Sequence, residues 1–91
     1  MNASVPVIKP HLGKLFKTKR SLRSQFIHPG NKGWVAESNT VMMLYRVEDV
    51  GDTDDELPNQ IVCYFLHEDR NFIRAFKHSG DFFDELNLLR F

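Results

Sequence analysis

The run Ile61-Val62-Cys63-Tyr64-Phe65-Leu66 is apolar at every position and rich in β-branched and aromatic residues, the pattern of a strand covered on both faces. Thr40 to Val47 and the shorter Trp34 to Ala36 also read as strands, placed around a Glu37-Ser38-Asn39 turn. After the polar turn from His67 to Asn71, Phe72, Arg74 and Phe76 alternate with Ile73, Ala75 and Lys77, which favours another antiparallel strand. The alternative there is a helix, since Phe72, Ile73, Ala75 and Phe76 also have helical spacing, with Asn71 as N-cap and Gly80 as stop. Asp81 followed by Asp84 predicts a helix start, and Phe82, Phe83, Leu86 and Leu89 form one apolar stripe on that C-terminal helix.

The first third is less regular. Pro6 and Pro10, set around Val5, Val7 and Ile8, favour an extended lead-in. From His11 to Ile27, Leu12, Leu15, Phe16, Leu22, Phe26 and Ile27 fall within roughly 140° of one helical face. That supports a basic helix, although Lys19 and Arg23 project onto the same face. A helix to Lys17 followed by a loop and an extended Leu22–Ile27 fits nearly as well. His28-Pro29-Gly30-Asn31-Lys32-Gly33 is a turn that closes this segment. Glu48 to Asn59, with Gly51, Pro58 and five acids between Asp49 and Glu56, is a surface connection.

Together these elements predict an α+β fold: a small antiparallel sheet of three or four strands, a C-terminal helix packed on it and, in the first reading of 11–27, an N-terminal basic helix as well. The 91 residues form a single domain, with a basic arm over 1–33 and the sheet and C-terminal helix over 34–91. Six of the eight phenylalanines (Phe65, Phe72, Phe76, Phe82, Phe83 and Phe91) lie in the last third, which places the core there. The apolar runs are too short to cross a bilayer and the first residues do not resemble a secretory signal, so a cytoplasmic protein without membrane contact is expected. A single cysteine, Cys63, rules out an intramolecular disulfide and a cysteine-based zinc cluster within one chain.

Charge changes the picture more than composition does. Net charge is zero, yet residues 1–36 carry seven cations and no acid, while residues 37–91 carry twelve acids against five cations. The two parts therefore meet different partners or meet each other. Lys14, Lys17, Lys19, Arg20 and Arg23 are the candidate binding residues of the basic segment, for nucleic-acid phosphates or for an acidic protein surface. Asp49, Asp52, Asp54, Asp55 and Glu56 are the candidates for a basic partner, in a spacing that does not match a calcium loop.

Catalytic signals are weak. Cys63 and His67 share a strand face about 13 Å apart, too far to act as a nucleophile–base pair. His67, Glu68, Asp69 and Arg70 sit where a turn is polar anyway, and His11, His28 and His78 form no known spacing. No cofactor, no metal and no catalytic residue is expected. The leading expectation is a small non-enzymatic adaptor or inhibitor that binds a protein, or itself, through surface electrostatics, with exposed apolar residues near Trp34 as further contacts. The alternative is a nucleic-acid-binding regulatory protein that uses the basic segment; zero net charge favours the first.

Overall fold

The computed structural model describes residues 4–25, 33–49 and 60–90. Its first element is a short helix, α1 (Val5–Ile8), with Pro6 in the opening turn, where a fixed φ suits the helix and the missing N–H is no loss. A 3₁₀ turn, Lys9–His11, continues it. A helical turn thus replaces the extended lead-in, and it buries Val5 and Ile8 against the core. Gly13, at φ 85°, then redirects the chain and donates its N–H to the Leu44 carbonyl at 2.7 Å.

The helix expected from His11 onward does not form. Leu15–Thr18 is strand β1, and Leu22–Arg23 is a two-residue strand β2. Strand parity sorts the side chains of β1. Phe16 and Thr18 are fully buried on one side, while Leu15 and Lys17 are half-buried on the other. The second reading was nearer for Leu22 and Arg23; Phe26 and Ile27 lie outside the described residues.

The remaining strands are β3 (Val35–Ala36), β4 (Val41–Asp49), β5 (Ile61–His67) and β6 (Arg70–Phe76), followed by α2 (Ser79–Glu85) and β7 (Leu86–Leu88). The main sheet has five strands in the order β6-β5-β4-β1-β7, every neighbouring pair antiparallel. The sheet exceeds the expected three or four strands because Leu15–Thr18 and Leu86–Leu88, whose apolar spacing also suits helices, pair with each other and extend it past β4. Residues 34–36 contribute to a separate two-stranded sheet, in which β3 pairs with β2. Arg70–Phe76 is a strand, as the alternation favoured, joined to β5 through Glu68, whose φ of 55° closes the turn.

Helix α2 starts before the expected cap, with His78 in the cap position and Asp81 in the first turn. It ends at Glu85 because Leu86 turns extended and Leu86–Leu88 pairs with β1, which cuts the predicted stripe in two. Phe82 remains its anchor: it is fully buried, with ring centroids 5.1 Å from Phe16 and 5.2 Å from Phe76. One core on the inner face of the sheet joins Phe16, Leu44, Phe65, Phe72, Phe76 and Phe82 to Val5 and Ile8. Among the described residues no helix is long and apolar enough to cross a membrane.

Candidate functional site

Alternation along a strand sends neighbouring side chains to opposite faces, so the five basic candidates do not form one stripe. Lys17 lies on the outer face of the sheet, level with Val41 and Asn87. Lys19 donates from Nζ to the Phe83 carbonyl at 2.7 Å, and its backbone N–H donates to the Glu85 carbonyl. Arg20 pairs with Glu85 Oε1 at 3.3 Å. Lys14 and Arg23 are exposed, and the Arg23 carbonyl accepts from Arg74 Nη1 at 2.9 Å. Two of the five cations thus dock on the acidic body of their own chain.

Glu85 is the centre of that docking. It is buried, and it accepts two hydrogen bonds from Arg74, Nε to Oε2 at 2.7 Å and Nη2 to Oε1 at 3.1 Å. The bidentate contact to a half-buried Arg74 is the strong part of the knot, and the exposed Arg20 adds little to it. Of the acidic candidates, Asp49 is exposed at the end of β4; Asp52, Asp54, Asp55 and Glu56 lie outside the described residues.

Cys63 is sealed in the core, and burial pushes its thiol up to about 12. The His67 Nδ1 is 3.0 Å from the Val41 carbonyl, and its ring lies 5.7 Å from that of Trp34. Trp34 is half-buried and held by the fold: its Nε1 donates to the Asn71 carbonyl at 2.8 Å, and the Arg70 guanidinium sits 4.1 Å from its ring centroid. His78 Nε2 is 3.6 Å from Asp81 Oδ2. Among the described residues no three His, Cys, Asp or Glu side chains are grouped to hold a metal ion.

A feature that sequence reasoning missed lies on the outer face. The register aligns Leu15, Met43 and Leu66 in one row across β1, β4 and β5, with Asn71 of β6 at its end. Val41 and Tyr45 flank the row on β4. Val41 is 40%, Tyr45 41% and Leu66 38% exposed, while Leu15 and Met43 are half-buried. The register shifts between Leu44 and Arg46, where Tyr45 forms a bulge. Leu44 and Val47 consequently both face the core, and Tyr45 and Arg46 both face outward.

The far end of this face is covered by a second buried cluster, Val62, Tyr64 and Ile73, edged by polar contacts. The Tyr64 hydroxyl donates to Glu48 Oε2 at 3.1 Å, Arg46 pairs with Glu48, and the Arg46 guanidinium lies 5.2 Å from the Tyr64 ring centroid. Burial, then Glu48, pushes the Tyr64 phenol up to about 12. The signal in the sequence was that Val41-Met42-Met43-Leu44-Tyr45 is apolar at both parities, although one parity alone is enough to reach a single core.

Compared with known protein families, curated proteins and solved structures, the chain has no match. The surface chemistry above therefore carries the functional argument.

Proposed function

We propose that this chain is a small non-enzymatic protein-binding module of the cytoplasm, and that it binds with the outer face of its sheet. The observation that carries this reading is the row Leu15–Met43–Leu66 flanked by Val41 and Tyr45, apolar side chains gathered on the face opposite the main core. Contiguous apolar surface of this kind marks an interaction site, and Tyr is among the residues that dominate binding energy at such sites.

A second copy of the chain is the partner that fits first. Two identical faces brought together by a two-fold axis form an isologous contact, and two antiparallel sheets pack face to face at about 10 Å. The adaptor or inhibitor role keeps the charged flanks for a further protein. The buried free thiol of Cys63 agrees with a reducing compartment. The test is molar mass by light scattering: the native chain should form a dimer that Leu66→Asp dissociates, since an exposed Leu66 tolerates the change within the monomer.

A further inference from the structure

A second surface feature lies where β1 and β7 leave the sheet. His11, Gly13, Lys14, Leu15, Leu88, Leu89 and Arg90 line an open cleft of about 640 Å³. The strand pairing builds it. Phe16 is level with Leu88, and the Leu89 N–H donates to the Leu15 carbonyl at 3.0 Å. Lys14 and Arg90 both line the cleft, and both place positive charge beside His11, so two cations share one small space. Like charges brought together in this way repel one another unless an anion lies between them. Among the described residues no acidic side chain lines the cleft, and neither Lys14 nor Arg90 has an ion-pair partner.

His11 supplies the third polar group. Its ring is wedged edge-on between Phe16 and Phe83, at centroid distances of 6.0 and 5.8 Å, which fixes its orientation. Its Nδ1 is buried without a hydrogen-bond partner. Gly13 adds room, because a Cβ there would meet no atom within 4 Å. Leu15, Leu88 and Leu89 supply the apolar part of the lining.

We propose that this cleft binds a small phosphate monoester, with the phosphate between Lys14, Arg90 and His11 and the organic group against the leucines. An arginine fork and a lysine ammonium together balance a phosphate dianion at neutral pH, and the apolar part of the lining favours an ester over the free ion. Burial, then Lys14 and Arg90, hold the His11 pKa below its ordinary value. A bound dianion counters the repulsion from Lys14 and Arg90 and attracts a protonated ring, so ligand binding and His11 protonation are linked.

The experiment is a proton NMR pH titration of the His11 ring in the full chain, with and without phenyl phosphate, at matched ionic strength in chloride. His11→Gln identifies the resonance. The expected result is saturable binding of phenyl phosphate, a rise in the His11 midpoint, and at least about tenfold weaker binding in Lys14→Glu and in Arg90→Glu. Both side chains are exposed, and unchanged circular dichroism shows that the variants fold. Three results would each overturn the proposal: no saturation beyond chloride, binding retained in both charge reversals, or equal binding of benzoate, which would remove the phosphate assignment.

Discussion

Tyr45 on β4 donates its phenol proton to Asn71 Oδ1 on β6 at 2.7 Å, reaching across the full width of β5. Only the bulge makes this possible, because it turns Tyr45 outward without displacing Leu44 and Val47 from the core. Removing the hydroxyl in Tyr45→Phe leaves the ring in place and should cost about 0.5–1 kcal/mol in urea unfolding. A loss above about 2 kcal/mol would mean that the bond holds the bulge itself.

The Glu85 knot predicts unequal effects for its two arginine partners. Glu85→Ala strands a half-buried Arg74 and should destabilise by about 2–3 kcal/mol. Arg20→Ala removes an exposed partner and should stay within about 1 kcal/mol. Equal losses in chemical denaturation would contradict the division of roles drawn from the geometry.

Cys63 gives two readouts. At pH 8 a thiol reagent such as dithionitrobenzoate should leave the native protein unlabelled and label it fully in denaturant, since the thiol is both buried and protonated. On the alkaline side the folded thiol titrates near 12 against 9.0 for an ordinary one, so above pH 9 the native state holds a proton that the unfolded state has lost. Stability therefore falls as pH rises through that window, by about 1.4 kcal/mol per unit from this group. In Cys63→Ala that share of the slope should vanish, while neutral stability drops because a buried group is lost.

The dispersal of the basic residues bears on the nucleic-acid alternative. Lys19 and Arg20 are engaged with Phe83 and Glu85, and Lys17 lies on a different surface. Anisotropy titrations of labelled single- and double-stranded DNA from about 50 to 200 mM salt should therefore show no more than nonspecific binding, about 10⁻⁴–10⁻⁶ M near physiological salt. Nanomolar binding weakened by Lys14→Glu, Lys17→Glu or Arg23→Glu would restore the alternative.

Strand β5 was legible because Ile61 to Phe65 is apolar at every position, and all five are buried. The β6 alternation and the Phe82 anchor were equally clear. Strand β1 was not, since the four residues Leu15–Thr18 are too few to separate a period of 2 from one of 3.6. Leu86-Asn87-Leu88 fits a helix as well as an edge strand, and only pairing with β1 decides it. Arg20 and Glu85 stand 65 residues apart in the chain, so their contact depends on topology that local pattern does not carry. The outer face was half visible: the doubled apolar parity of Val41 to Tyr45 was there to read, but which side would be covered was not.

Molar mass by multi-angle light scattering across a concentration series tests most directly whether that face pairs two copies of the chain. The native chain should approach twice its 10.6 kDa, while Leu66→Asp and Val41→Asp should stay at 10.6 kDa with unchanged circular dichroism. A native chain that remains at 10.6 kDa throughout, or a dimer that survives both substitutions, would contradict the account.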